Sequence, residues 1–220
     1  QFVDGGSRIG SYVANVGISE VIGYTSLNYE LSAQLDNTLF VSNIYNLDLG
    51  HQSSWLAKSK PYNFSQFDWT EDILRLPNQL TAIIGFNGRI YAFDSNNTYK
   101  IEPTSLFIED IFEGVGCLGP ESLMVTEYGL CFVDKNNIFI HDGSRPTAIG
   151  DSILKGDASY AWHNKNVTLD PKVAFDSRRG SFLIFFLEND GTNWYVWAYN
   201  IPRKRWDLWE TGIAQANLGD

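Results

Sequence analysis

The chain has 220 residues, enough for one large domain or two small ones, and its 44% of apolar residues excludes a disordered protein. It carries 16 Lys and Arg residues against 26 Asp and Glu residues, so its formal net charge at pH 7 is −10. Binding nucleic acid without sequence specificity requires many cations that neutralise phosphates, so this balance argues against that class. Apolar runs such as Phe182 to Leu187 are far too short to span a membrane, and no membrane partner is expected.

Aromatic residues make up 15% of the chain, with 7 Trp, 11 Tyr and 14 Phe. Flat and branched side chains pack well on a pleated surface, so this content favours β-structure. The two cysteines, Cys117 and Cys131, form neither a disulfide framework nor a zinc-ligand spacing. We therefore predict that both are small buried core residues.

The chain divides into three parts by its patterning. Residues 1–36 contain several glycines and predict irregular, peripheral strands that lead into the fold. Residues 37–212 predict β-propeller blades, beginning with the strand Thr38 to Ser42 and the aromatic-rich segment Lys60 to Trp69. Residues 213–220 are expected to form a C-terminal extension.

Two hairpin patterns follow, one after the other. An apolar strand from Leu80 to Phe86 meets Asn87-Gly88, the strongest short hairpin signal, and returns as Arg89 to Phe93. The second pattern begins at Leu123, turns at Tyr128-Gly129 and returns as Leu130 to Val133. Each pattern continues into an Asp-x-Asn-Asn turn, at Asp94 and again at Asp134. The offset of about 40 residues between the two turns is typical of the propeller-blade period.

A third stretch has the content of one four-stranded blade. Its predicted strands are Lys172 to Phe175, Ser181 to Leu187, Trp194 to Tyr199 and Trp206 to Trp209. At most one short helix fits the sequence, near Gly150 to Ala158. The predicted fold class is therefore all-β and β-propeller-like, with four-stranded antiparallel blades that form an incomplete ring or part of a longer chain.

Motifs for metal, phosphate and hydrolase chemistry are weak. The histidines His51, His141 and His163 lie far apart and match no metal-binding pattern, so no metal and no cofactor is expected. Ser144 follows a glycine but lacks the second glycine of a nucleophile elbow. Residues 114–119 match G-x-G-x-x-G by spacing, but Pro120 and a strand pattern follow where a phosphate site needs a helix.

Acidic residues offer a further possibility, because glycoside hydrolysis needs two carboxylates at a set separation across a pocket. Candidate pairs are Glu71 with Asp72, Glu109 with Asp110, and Asp207 with Glu210. Most such acids flank predicted turns, where Asp commonly accepts hydrogen bonds from backbone amides. We therefore assign no catalytic residue and expect a protein that is not an enzyme.

The turns at Asp94 and Asp134 resemble part of a calcium loop, but each lacks the downstream glutamate. We predict Asx-type turns between blade strands instead. The one basic and aromatic cluster is residues 203–205 beside Trp206 and Trp209. It suits either stacking of a single-stranded nucleic acid or cations lying over tryptophan faces, and the acidic composition favours the second.

The order of these segments resembles the β-propeller part of tail nozzle proteins of tailed bacteriophages, which include the packaged-DNA stabilisation proteins of short-tailed phages. The similar segments are Leu80 to Pro103, Gly114 to Leu123, Tyr128 to Val133, Ile138 to Pro146, Ile149 to Leu154, Val173 to Asp176, Gly180 to Leu187, Tyr195 to Tyr199 and Arg205-Trp206. The resemblance covers residues 38–212 and is a pattern of strands and turns. Members of the family are considerably longer than this chain.

The resemblance implies a virion structural protein located in the phage tail. Such a protein forms a homo-oligomeric ring, expected to be a hexamer, with a portal adaptor above it and a tail fibre or tail plug below. The ring extends the DNA channel, lets double-stranded DNA pass without sequence-specific binding, and helps retain the genome until ejection.

An acidic channel wall would repel DNA phosphates, so the net charge is compatible with that role. The candidate lumen-facing acids all lie at predicted blade turns: Asp94, Glu109, Asp110, Asp134 and Asp142. The candidate interface aromatics, each of which could equally fill its own blade core, are Trp55, Trp69, Trp206 and Trp209.

Three other functions stay open at the level of sequence. Exposed aromatics beside Asp and Asn suit a carbohydrate-binding or receptor-binding propeller module, and the acid pairs leave a glycoside hydrolase on the same fold. The third is a secreted protein glycosylated at Asn63, Asn96 or Asn166, whose triplets match the acceptor pattern.

Overall fold

The computed structural model describes residues 2–3, 8–9, 27–46, 50–68, 70–153, 161–165, 170–187 and 194–210. These residues form strands joined by tight turns, together with two short 3-10 helices, Pro120–Ser122 and Trp162–Asn164. The strands are β1 Phe2–Val3, β2 Arg8–Ile9, β3 Leu27–Leu35, β4 Thr38–Asn46, β5 Gly50–Lys60, β6 Asn63–Phe67, β7 Ile73–Arg75, β8 Ala82–Phe86, β9 Arg89–Phe93, β10 Asn97–Ile101, β11 Ile108–Glu113, β12 Leu123–Thr126, β13 Gly129–Val133, β14 Ile138–His141, β15 Thr147–Ala148, β16 Lys172–Asp176, β17 Ser181–Leu187, β18 Trp194–Asn200 and β19 Arg205–Glu210.

All of these strands pair antiparallel, and each sheet is built from consecutive strands. Strands β1 to β6 form one sheet in chain order, and β7 pairs with β5 beside β6. Three four-stranded sheets follow, β8 to β11, β12 to β15 and β16 to β19. This architecture confirms the prediction of an all-β, β-propeller-like fold with four-stranded antiparallel blades.

The chain folds as two compact units, residues 1–114 and residues 115–220. The first unit has a core in which β3, β4 and β5 pack against β8, β9 and β10. Its fully buried members include Phe40, Leu56, Ile90 and Ile101. A smaller cluster around Val41, Ile44 and Ala57 lies on the other face of the β3–β5 sheet.

Strand β3 belongs to this core. It pairs along its length with β4, and Tyr29 and Leu31 are both 5% exposed. Residues 27–35 therefore form a regular sheet strand within the segment that the sequence placed in irregular leading strands. The boundary expected at residue 36 falls in the two-residue turn between β3 and β4. The extension expected over 213–220 lies outside the described residues.

The second unit has its own core between the sheets β12–β15 and β16–β19. Val133, Ile138, Phe182 and Ile184 are fully buried there, and the ring of Trp162 meets that of Phe186 edge to face at 5.6 Å. Alternating burial along β17 reflects the period of two that the sequence shows.

Both cysteines are free and buried, as predicted. Burial raises the pKa of the Cys117 thiol to about 12 and that of the Cys131 thiol to about 11. Thiols held so far from ionisation are poor nucleophiles, so both act as small core residues.

The Asn87-Gly88 hairpin also forms as predicted, with positive φ values of 48° and 68° at its two central residues. The helix expected near 150–158 lies largely outside the described residues, and residues 151–153 form a turn. Within the described ranges, no helix has the length and apolar character needed to cross a membrane.

Candidate functional site

The two Asp-x-Asn-Asn turns have the same geometry. Asp94 Oδ1 accepts hydrogen bonds from the backbone amides of Asn96 and Asn97, each at 2.6 Å. Asp134 Oδ1 accepts the equivalent bonds from Asn136 at 2.6 Å and Asn137 at 2.5 Å. These contacts confirm the predicted Asx-type turns, since each carboxylate satisfies amides that the tight turn leaves unpaired.

Both aspartates are buried, with exposed fractions of 0% for Asp94 and 2% for Asp134. A buried carboxylate cannot present its charge to a channel, so the assignment of these two acids as lumen-facing is corrected. Each aspartate directly follows a fully buried strand residue, Phe93 or Val133, and therefore lies inside the fold.

Asp94 is held by more donors than the turn alone supplies. Its Oδ2 atom accepts bonds from Asn78 Nδ2 at 2.8 Å, Asn97 Nδ2 at 3.1 Å and the Tyr99 hydroxyl at 2.9 Å. Burial raises the pKa of Asp94, but the hydrogen bonds together outweigh burial and hold the pKa below its ordinary value. The same contact with Asp94, added to burial, raises the pKa of Tyr99 to about 12.

Asp134 shows the opposite shift. Burial is the largest influence and raises its pKa, while backbone hydrogen bonds from Asn137, Asn136 and Gly116 lower it by less. The ionised form is therefore less well compensated at Asp134 than at Asp94.

The other three candidate lumen acids are exposed. Glu109 forms a double hydrogen bond with Arg89 Nε at 2.8 and 2.9 Å and lies 3.8 Å from Lys100 Nζ, so its charge is largely balanced locally. Asp110 lies on the same strand, β11. Asp142 accepts bonds from the amide and hydroxyl of Ser144, and these bonds lower its pKa.

One member of each acid pair noted in the sequence, Asp72, Glu109 or Asp207, forms an ion pair with a cation. Asp72 Oδ2 lies 2.7 Å from Lys60 Nζ, and Asp72 Oδ1 lies 3.5 Å from Lys58 Nζ. Asp207 forms an ion pair with Arg205 at 2.9 Å. Asp68 Oδ2 also lies 3.6 Å from Lys60 Nζ, so this cation is shared by two buried carboxylates.

The candidate interface tryptophans are half-buried on their own sheets. The guanidinium of Arg75 lies over the Trp55 ring at 4.7 Å, and that of Arg179 lies over the Trp209 ring at 5.4 Å. The cation over Trp209 thus comes from the turn before β17 and not from residues 203–205. Trp69 lies outside the described residues.

Several exposed large apolar side chains are ones that the sequence did not indicate as candidate interface residues. Tyr62 is 82% exposed, Phe107 is 66% exposed and Ile111 is 44% exposed. Phe107 directly precedes β11, and Ile111 lies on it. Strand β11 is an edge strand of its sheet. Alternation alone could not reveal them, because a period-two pattern does not tell which face of an edge strand is covered.

The second unit contains a groove. It has a volume of about 580 Å³ and opens at the turns after β12, β14 and β18. Besides Ser152 and several aliphatic side chains, its lining contains three aromatic side chains and three polar ones: Tyr128, Tyr199, Trp206, Asp142, Thr147 and Lys204. The sequence had indicated Asp142, as an acid at a blade turn, and the cluster with Lys204 and Trp206, but not that they lie together.

Trp206 is fixed in the groove wall. Its indole Nε1 donates to the carbonyl of Ile149 at 2.8 Å, and its ring lies 4.8 Å from the ring of Tyr199 and perpendicular to that of Trp197 at 6.1 Å. A ring held on three sides presents a preorganised flat surface.

The histidines are not gathered into a site. His51 and His163 are exposed and His141 is buried in β14. Among the described residues no group of three His, Cys, Asp or Glu side chains could hold a metal ion.

No protein-family model matches the sequence. No curated protein matches it at a significant level.

Several solved structures share part of the backbone arrangement. The glutaminyl cyclase of Myxococcus xanthus has a TM-score of 0.41 at 9% identity, with 75% of this chain and 70% of the cyclase covered. Hsv2 of Kluyvelomyces marxianus has a TM-score of 0.44 at 13% identity, with 84% and 65% covered. The extracellular domain of a one-component system from B. thetaiotaomicron has a TM-score of 0.49 at 11% identity, with 93% and 30% covered. The chain thus spans less than two thirds of Hsv2 and less than a third of that extracellular domain.

Proposed function

We propose that the chain is a structural subunit of a phage tail nozzle. Copies of it form a ring that extends the DNA channel below the portal and adaptor and helps retain the genome until ejection. The observation that carries the proposal is the succession of three four-stranded sheets between Ala82 and Glu210, each built from consecutive strands. This succession follows the order of the segments that resemble the nozzle family. The protein then works by assembly and not by catalysis.

The surface charge supports a conduit for DNA. The net charge is −10, and Asp110 and Asp142 are exposed acids that can contribute to a repulsive surface. A duplex that is repelled at every point of a channel is not trapped by binding energy during ejection.

Strand β11 supports association between copies. An edge strand exposes unpaired backbone groups, and here it also carries the exposed apolar side chain of Ile111 next to Phe107. In the proposed ring, a neighbouring copy covers these two side chains.

The test is the oligomeric state of the purified full chain, measured by light scattering and negative-stain imaging. We expect sixfold rings with an axial hole, and we expect Phe107→Ser to shift the population towards monomers because the interface loses a buried aromatic anchor. Tyr62→Ser, which removes another exposed aromatic, is the matched control and should leave the rings intact. A wild-type chain that stays monomeric at micromolar concentration would refute the proposal.

A further inference from the structure

The groove of the second unit has the size of a ligand site. Its volume of about 580 Å³ falls within the range of about 300–1,000 Å³ that small-molecule sites occupy. It is wide open to solvent on one side and walled by side chains from both sheets of the unit. Its aromatic wall is rigid, because Trp206 is fixed by its hydrogen bond to Ile149 and by its ring contact with Tyr199.

We propose that this groove binds a neutral oligosaccharide. A sugar ring has apolar C–H faces and a rim of hydroxyl groups that both donate and accept hydrogen bonds. The flat faces of Trp206 and Tyr128 suit the C–H surfaces, while the Asp142 carboxylate accepts from hydroxyls and Lys204 Nζ donates to them. Thr147 adds a hydroxyl that can do either.

The state of Asp142 fits this role. Ser144 donates two hydrogen bonds to the Oδ1 atom, which fixes the carboxylate and keeps it ionised by lowering its pKa. An ionised carboxylate only accepts hydrogen bonds, so a sugar hydroxyl that meets Asp142 acts as the donor.

Other ligand classes fit less well. An anionic ligand such as a phosphate would approach the carboxylate of Asp142, with only Lys204 as a cation among the six lining side chains named above. A purely apolar ligand would strip water from both charged groups without replacing their hydrogen bonds. A neutral polyol avoids both costs.

The inference goes beyond the proposed ring and does not depend on it. The groove lies wholly within residues 115–220, and a single copy supplies every side chain named above. Failure of sugar binding would leave the ring proposal standing, and a monomeric chain could still bind the sugar.

The test applies the purified full chain to an array of short neutral oligosaccharides of hexoses and N-acetylhexosamines, with sialylated and sulfated oligosaccharides alongside. The best-bound sugar is then titrated in solution by calorimetry. We expect a neutral oligosaccharide to bind, and we expect Tyr128→Ala to weaken its affinity by about tenfold or more. Lys204→Ala should weaken it by about threefold to tenfold through the loss of a charged donor.

Two matched variants serve as controls. Tyr62→Ala removes an exposed tyrosine from the first unit, and Arg203→Ala removes a cation adjacent to Lys204 but outside the groove. Both should bind like the wild type. The inference is overturned if no neutral oligosaccharide binds, if only the anionic ones do, or if Lys204→Ala binds as tightly as Arg203→Ala. The comparison of sugar affinity between Lys204→Ala and Arg203→Ala still tests the inference if Tyr128→Ala proves unstable.

Discussion

Asp94 and Asp134 occupy the same turn in two successive sheets, yet their pKa values shift in opposite directions. The difference comes from side-chain donors that reach Asp94 Oδ2, first Asn78 and then Asn97 and Tyr99. Tyr99 donates its hydroxyl to Asp94 at 2.9 Å, whereas Phe139 takes the equivalent place after Asp134 and instead stacks on Phe132 at 5.4 Å. Asn78 adds a further donor at Asp94. A turn that is repeated in sequence is therefore not repeated in its electrostatics.

This contrast predicts unequal effects of removing the two charges. In Asp94→Asn, the new amide group would face the three donors that now reach Oδ2, so we expect the free energy of unfolding at pH 7 to fall by about 2 kcal/mol or more. In Asp134→Asn, the Oδ1 atom can still accept the bonds from Asn136 and Asn137, and a poorly compensated buried charge disappears. We expect that variant to lose less than about 1 kcal/mol in urea unfolding.

The pH dependence of these penalties follows from the direction of each shift. Because the pKa of folded Asp94 is depressed below its unfolded value of 3.8, its contribution to stability is present above that value and is lost as the pH falls through the folded pKa. The Asp94→Asn penalty should therefore shrink as the pH falls below about 4. The pKa of folded Asp134 is raised, so protonation favours the folded state. The free energy of unfolding of the wild type should therefore rise relative to that of Asp134→Asn as the pH falls. Equal pH profiles for the two variants would contradict this account.

The sequence identified both turns but not the burial of their carboxylates. Residues two and three positions away set the turn, so spacing alone predicts it. Burial depends on distant partners, such as Asn78 for Asp94, which pairwise spacing does not reveal.

At the scale of the strands, the sequence predicted the hairpins well, and it placed the edge strands β8, β16 and β19 to within two residues. Strands β9 and β17 have the predicted bounds, because a clear period of two is bounded there by turn residues. Strand β11 was not predicted. The register between β10 and β11 shifts between Lys100 and Ile101, so Glu109 is a bulged residue of β11 with no residue opposite it. The bulge interrupts the alternation of the strand, which a period-two pattern therefore does not indicate.

The turn between β12 and β13 yields a prediction about backbone space. Gly129 has a φ of 132°, and a Cβ atom there would lie 2.6 Å from the carbonyl oxygen of His141. Gly88 also has a positive φ, 68°, but a Cβ atom there would meet nothing within 4 Å. We expect Gly88→Ala to cost about 1–2 kcal/mol from backbone strain alone, and Gly129→Ala to cost at least about 2 kcal/mol more.

Urea unfolding of the two alanine variants measures this difference directly. Both substitutions add one methyl group at a position with positive φ. Gly88→Ala therefore measures the energetic cost of the backbone conformation alone, without a close contact. Equal midpoints would mean that the strand β14 carbonyl moves aside without cost.

At the scale of the whole molecule, composition predicted the charge and the fold class, while the groove could not be predicted. Its wall brings Tyr128 and Asp142 together with Lys204 and Trp206, from the two separate sheets of the second unit. Each of these residues is ordinary in its own segment, and only the packing of one sheet on the other makes them neighbours. The wide separation of the lining residues along the chain is the physical reason that sequence spacing gave only part of the site.

The acidic composition leads to a final prediction about DNA. Attraction or repulsion between surface charges is strongest at low salt, where the Debye length is about 30 Å at 0.01 M. The wild-type chain, with a net charge of −10, should therefore fail to retard linear double-stranded DNA even there. In the double variant Asp110→Lys with Glu113→Lys each replacement changes the charge by two, so −10 becomes −6, and strand β11 gains two cations near Lys100. We expect this variant to retard DNA weakly at low salt and to release it at about 0.15 M salt, since a few phosphate contacts are easily screened. Retardation of DNA by the wild type that weakens with salt would show that the acidic surface does not repel the duplex.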